Sequence, residues 1–433
     1  MALSLKKYTK ISLFGLLAAT AFSAPAFATE GYFQNGASAR SKALAGAGVA
    51  DTRDASGMGI NPAGLLNSGN QLQVSISAFN PNRKFTGSGG PGFTPSGEVK
   101  SGSSWFPVPG LAYSRQVSDK FAYGVAVIAN GGMNTSYSRT QANPVCGSGP
   151  FPSPTGVFCG GGTGIDLNQV FIQPTFAYSP AQGISFGLSP VFAVQKFKAR
   201  GLAIFGGMSV DPTNLTNNGS SWSTGIGIKG GVEVDAGNGL RFGATFQPKI
   251  NMSEFDKYAG LFADGGDFDI PSTWSVGVAW DMTPDITAMF DVRKVNYSGV
   301  GSVGNATNIP LPFGSPGGPG FGWSDVTAYK FGVEWRNDGI TWRAGYARNN
   351  NPIGPEDVTL NILAPGVTTS HITGGFSYDI NESNSFDFAL MYAPNSSVTG
   401  PEAIPGGPPG HIIELSMDQL ELTFGWTFKF GSN

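Results

Sequence analysis

Charge is scarce in this chain: Asp, Glu, Lys and Arg make up 13% of its 433 residues, about half the usual share. A disordered tail or a long coiled coil needs solvating charge that is not there. Lys and Arg number 26 against 29 Asp and Glu, so no basic field exists to hold a phosphate backbone, and nucleic-acid binding is excluded. Cysteine and histidine occur twice each, too thinly for a metal centre or a cofactor cage. Beyond residue 28 no apolar run approaches the roughly 18 residues of a membrane-spanning helix. What the chain has instead is 64 Gly and 32 Phe, apolar surface spread among small and polar residues.

Residues 1–28 have the layout of an export leader. Lys6, Lys7 and Lys10 supply the positive start, Ile11 to Phe22 a short apolar stretch, and Ala26-Phe27-Ala28 a small-x-small cleavage site. The mature chain then begins at Thr29, outside the cytoplasm.

Period-two alternation dominates the remainder. Leu420, Leu422, Phe424, Trp426, Phe428 and Phe430 alternate with Glu421, Thr423, Gly425, Thr427 and Lys429, which sets one face against oil and the other against water or small groups. Strands are predicted over 71–79, 108–117, 121–130, 167–179, 184–199, 223–235, 240–252, 270–281, 286–297, 325–336, 340–348, 369–380, 385–392 and 415–430. A soluble sandwich would share the period, but not the connections. These alternate between short turns, such as Ser118-Asp119-Lys120 and Asn337-Asp338-Gly339, and long Gly- and Pro-rich loops, such as 146–164 and 304–322. Short turns on one rim and long loops on the other mark an outer-membrane barrel. Trp105, Trp222, Trp274 and Trp323 fall near long-loop ends, and Trp280, Trp335, Trp342 and Trp426 near short-turn ends, as two interfacial girdles would. The expected fold is all-β: a 14-stranded antiparallel transmembrane β-barrel over 71–433.

Cys146 and Cys159 share one long loop, and an oxidising compartment makes a disulfide between them the natural reading. Catalytic patterns fail on context. Gly183-Ile184-Ser185-Phe186-Gly187 matches a nucleophile elbow but opens a strand where that motif needs strand, turn and helix. Gly87 to Gly92 matches G-x-G-x-x-G with no helix after it to face a phosphate. Asp264, Asp267 and Asp269 cluster in a long loop that could hold a divalent ion weakly, but without calcium-loop spacing they read rather as a solvated acidic loop. No enzymatic activity, cofactor or metal is expected.

Residues 29–70 lack strand alternation and are rich in small residues. A barrel of fourteen strands leaks unless something fills it, and this segment is the candidate plug. Here the chain resembles the FadL family of outer-membrane transporters for long-chain fatty acids and aromatic or aliphatic hydrocarbons. The resemblance rests on Phe33-Gln34-Asn35, on Ala45-Gly46-Ala47-Gly48-Val49-Ala50 and on Asn61-Pro62-Ala63. Gly431-Ser432-Asn433 after Phe430 departs from the aromatic end usual in the family.

The resemblance implies passive uptake of an apolar molecule. Substrate would meet a greasy groove of two extracellular loops, enter a pocket lined partly by Phe33 and Gln34, and leave sideways beside the third strand once the plug moves. Independent support for the groove is the crowding of Leu202, Ile204, Phe205 and Met208 in one long loop, and of Phe255, Tyr258, Leu261 and Phe262 in another at helical spacing. Asn61-Pro62-Ala63 would anchor the plug. The paired Gly131-Gly132 at the end of the third strand reads as a bulge or bend, or as an ordinary strand end. Arg40 and Lys42 are candidates to meet a substrate carboxylate, or else are solvated or ion-paired. A monomer is expected, bathed in outer-membrane lipid and lipopolysaccharide, with both termini periplasmic. Two other classes stand beside this: a general diffusion porin, against which the plug-like segment counts, and an outer-membrane lipid hydrolase. For the latter Ser370 and His371 are adjacent on a strand and so point to opposite faces.

Overall fold

The computed structural model describes residues 30–149, 151–404 and 409–431; the leader expected over 1–28 lies outside them. The chain forms strands β1 (Gln71–Gly89), β2 (Gly97–Lys100), β3 (Phe106–Ser118), β4 (Phe121–Asn134), β5 (Gly164–Ala181), β6 (Ile184–Arg200), β7 (Ser221–Gly237) and β8 (Leu240–Gln247). After them come β9 (Thr273–Thr283), β10 (Ile286–Val295), β11 (Val326–Asn337), β12 (Ile340–Asn349), β13 (Ser370–Asn381), β14 (Asn384–Pro401) and β15 (His411–Lys429). Neighbours pair antiparallel and β15 pairs with β1, which closes the sheet. The four-residue β2 only folds back onto Lys84–Gly87 of β1, so the closed circuit has fourteen strands.

Alternation along each strand sorts the faces. On β1, Leu72, Val74 and Ile76 are exposed while Gln71, Gln73 and Ser77 are buried; β7 repeats this with Trp222 outside and Ser221 and Ser223 inside. An apolar exterior around a polar interior is the reverse of a soluble core and suits a lipid surround. Tight turns keep one rim short: Asn238-Gly239 and Asp338-Gly339 take left-handed backbone, with φ 53° and 77°, then 41° and 80°, as two-residue hairpins require.

All fourteen expected strands are present, with boundary differences that have local causes. β1 runs ten residues past its expected end, because Asn80-Pro81-Asn82, a turn-like triplet, continues the ladder with β15 up to Gly89 opposite His411. β14 likewise continues to Pro401 against β15. β8 stops early at Gln247, since Pro248 has no N–H to donate, and β9 starts late, after Pro271. One tryptophan departs from the girdle pattern: Trp323 is buried, packs on Tyr32 and Tyr297, and donates Nε1–H to Asn361 Oδ1 at 2.6 Å. It precedes β11 and points into the loop core rather than to lipid.

Candidate functional site

Residues 30–70 are buried almost throughout and bond to strands on every side of the circuit. Lys42 Nζ reaches Glu421 of β15 at 2.5 Å and Ser77 of β1 at 2.8 Å. Arg40 Nε meets Glu334 of β11 at 2.9 Å, and its Nη2 meets Asp51 at 3.0 Å. Asp291 of β10 accepts from the amides of Gly48 and Val49 at 2.7 and 2.9 Å. Arg40 and Lys42 are therefore committed to ion pairs and are not free to meet a substrate carboxylate. Burial opposes the charge on Arg40, but Glu334 and Asp51 outweigh it and raise its pKa. Glu334 also takes Arg343 Nε at 2.8 Å and Arg336 at 3.0 Å.

Asn61-Pro62-Ala63 seats against β6 and β7. Asn61 donates from Nδ2 to the carbonyls of Val49 at 2.7 Å and Val232 at 3.1 Å, and its Oδ1 accepts from the Ala63 amide at 3.0 Å. Pro62 supplies the first residue of a 3₁₀ turn, Pro62–Asn67. A side chain at Gly187 or Gly231 would strike this tripeptide, so glycine at both positions permits the close approach.

The third barrel strand, β4, carries a bulge where the register shifts between Ala129 and Gly131. The β3–β4 ladder ends at Leu111 opposite Val127. Beyond it β3 stays paired with β1 to Phe106, and β4 stays paired with β5 to Asn134. The facing edges 106–110 and 128–134 are thus unjoined. Pro107 and Pro109 explain half of this: residues at alternate positions turn the same way, the β1 ladder persists past both, and so their missing N–H groups face β4. The other half is occupied from inside. The Gly132 amide donates to Tyr32 O at 2.9 Å, and the Gln34 amide donates to Asn130 O at 3.2 Å.

Tyr32 is fixed by rings on several sides, Phe33, Phe268, Tyr297 and Trp323. Glu30 next to it pairs with Lys330 at 2.5 Å and Arg293 at 3.2 Å. Burial would raise its pKa, but these two cations hold it below the usual range. Below this hook lies a cavity of about 80 Å³ lined by Phe33, Gln34, Asn130, Phe171, Lys229 and Arg293 among others.

At the long-loop rim an apolar groove of about 670 Å³ is lined by Phe205, Met208, Ile309, Leu311, Phe313 and Leu360. Leu202, Tyr258, Leu261 and Phe262 lie beneath it, buried. Phe197 meets Tyr258 edge-on and packs at a tilt against Phe262, so this second apolar set forms the floor of the loop layer. The opposite wall comes from residues 307–313, a Pro-rich loop without helical or strand periodicity to betray it. The disulfide joins Cys146 to Cys159. The acidic loop is occupied by its own protein: Asp269 takes Lys249 at 2.6 Å and the Met252 amide at 2.7 Å, and Asp264 takes the Gly317 amide at 2.9 Å. Asp267 is pushed up to about 7 by burial and by the charge of Asp269 beside it. Ser185 sits in β6 straight after a turn, and His371 is buried in β13.

The family described as "Outer membrane protein transport protein (OMPP1/FadL/TodX)" matches over residues 15–404. The chain belongs to this family. A long-chain fatty acid transport protein of Salmonella typhi is 20% identical over 357 residues, 75% of this chain and 76% of that relative. Among solved structures, a Pseudomonas aeruginosa FadL homologue aligns with a TM-score of 0.67 at 14% identity, covering 93% of this chain and all of that one. The P. putida toluene transporter TodX aligns at 0.65 with 16% identity, covering 92% of this chain and all of that one. At such identities the likeness to solved structures establishes the FadL/TodX barrel fold. The Salmonella typhi relative and TodX are named as a transport protein and a transporter.

Proposed function

We propose that this FadL/TodX-family barrel is a passive channel for hydrophobic molecules, long-chain fatty acids or hydrocarbons, that releases its cargo sideways into the bilayer. Residues 29–70 act as the plug, and the short-turn rim with both termini faces the periplasm. The observation that carries this reading is the unjoined stretch between β3 and β4, whose β4 edge is met by Tyr32 and Gln34 of the hook and, at Asn134, by Arg83 of β1. A polar solute has no use for a gap that opens toward lipid. An apolar one does, because passage through the wall spares it the aqueous periplasm. Capture occurs at the groove of Phe205, Met208 and Leu311, an apolar surface open to solvent at Leu311, of the kind that marks binding. Substrate then reaches the cavity beside Phe33 and Gln34, the hook at 30–34 moves, and the β3–β4 gap opens. The outer-membrane setting brings lipid and lipopolysaccharide as neighbours, and the closed circuit needs no second copy.

The test is uptake of labelled oleate and of toluene by a strain that lacks its own transporter of this family and expresses the chain. Saturable uptake of either, lost when a disulfide is engineered between positions 34 and 130 and restored by reductant, supports the reading. Uptake indifferent to that bond would place the exit elsewhere.

A further inference from the structure

β6 changes character along its outer face. Phe186, Leu188 and Phe192 are exposed, with Ile226 of β7 opposite Phe192. Trp222 lies opposite Lys196, four residues further along β6, and marks the interface. Lys196, Lys198 and Arg200 then follow on the same face, about 7 Å apart along the strand. Next to Arg200 opens a cleft of about 820 Å³, lined also by Lys100, Arg139, Ser138 and Ser153, with no carboxylate in its wall. Arg200 is held by Ser136 Oγ at 2.5 Å. Lys100 shares Glu98 with Lys84. Asp166, opposite Lys198, accepts from the side-chain Nδ2 groups of Asn134 and Asn168 at 3.2 and 3.1 Å. Among the described residues no carboxylate lies within ion-pair distance of Lys198, Arg139 or Arg200. In a chain so poor in charge, Lys198, Arg139 and Arg200 are thus left without a carboxylate partner among the described residues.

We infer that this cleft seats the phosphates of a phosphorylated glycolipid of the outer leaflet, with its acyl chains lying on Phe192 and Ile226. Guanidinium groups match phosphate oxygens in pairs, and cations just above an apolar belt attract anionic headgroups. The cleft shares no residue with the groove, and Gly102 and Ser136 in its wall bond to each other just beyond the β3–β4 gap. A free anion would gain nothing from Phe192 and Trp222 below, whereas a lipid uses both levels. The inference rests on the proposed orientation, in which the long-loop rim faces outward.

The test is native mass spectrometry of the full-length mature protein with bis-phosphorylated lipid A, with the same lipid dephosphorylated, and with millimolar inorganic phosphate as competitor. Retention of the phosphorylated lipid should fall about tenfold or more in the triple variant Arg139→Gln, Lys198→Gln, Arg200→Gln. Arg139→Lys with Arg200→Lys should keep most of it, which separates lost charge from lost folding. Equal retention by the triple variant, or of dephosphorylated lipid, overturns the site. Complete release by inorganic phosphate shows a simple anion site and overturns the lipid assignment. Hydrophobe uptake by the triple variant should stay at the wild-type level, so failure of the lipid site and failure of the transport reading are told apart.

Discussion

The amide of Gly132 donates to the carbonyl of Tyr32 at 2.9 Å, so the free edge of β4 is held by a segment that precedes the barrel. Two backbone bonds of this kind are worth about 1 kcal/mol each net, little enough to break on a functional timescale. A side chain at Gly131 would strike the Tyr32 carbonyl. The glycine pair therefore serves the contact with the hook as well as the bend.

Removing Asn130 should erase the bulge and carry β4 straight on. With Pro107→Ala and Pro109→Ala supplying the missing donors, the β3–β4 ladder should then close. Hydrophobe uptake is expected to fall to the level of the empty strain while heat-modifiable migration shows an intact barrel. Normal uptake by such a closed barrel would exclude this exit.

Glu334→Gln addresses the hold on the plug. It withdraws the anion that meets Arg40, Arg336 and Arg343 and leaves Arg40 with Asp51, a loss within a buried ion-pair network of up to about 3 kcal/mol. The barrel ladder does not depend on it. Limited proteolysis should therefore cut residues 30–70 faster in the variant, with the unfolding midpoint of the barrel little changed.

Fourteen strands were legible in the sequence because each must alternate oil-facing Leu, Phe or Trp with small or polar groups, as 420–430 does. The far ends of β1 and β14 were not, since Asn80-Pro81-Asn82 and Asn395-Ser396-Ser397 carry no apolar alternation. The bulge was announced by Gly131-Gly132, but its partner, the pair Pro107 and Pro109, carries meaning only once the β1 register is known. The groove was half visible. Phe205 and Met208 line it, whereas Tyr258 and Phe262 turn inward onto Phe197, a choice between two apolar surroundings that composition does not make. Arg40 and Lys42 found Glu334 and Glu421 across hundreds of residues of chain, a pairing no local pattern encodes.

Asp267 gives the loop layer a pH dependence. Its folded pKa of about 7 lies above the ordinary 3.8, so the folded loop binds a proton that the unfolded loop has released, and stability falls as pH rises between these values. Amide exchange over 250–270 should be slowest near pH 4 once corrected for intrinsic rates, and should quicken toward pH 7. Asp267→Asn should flatten that profile. An unchanged slope in the variant would move the titration to another group.

The groove can be separated from the gate by the concentration at which a defect shows. Leu311 is 47% exposed and lines the groove with Met208, so neither position holds the fold together as buried Phe262 does. Leu311→Asp with Met208→Asp places two carboxylates on a surface that would otherwise dry against an apolar ligand, and each forfeits about 2 kcal/mol of apolar burial. Such a loss weakens capture without touching Tyr32, Gln34 or the β3–β4 edges. Uptake should therefore drop by an order of magnitude or more at substrate levels well below saturation, and approach the wild-type rate when substrate is abundant. Equal impairment at both extremes would mean that the loops govern opening rather than capture, and the groove would then belong to the gate.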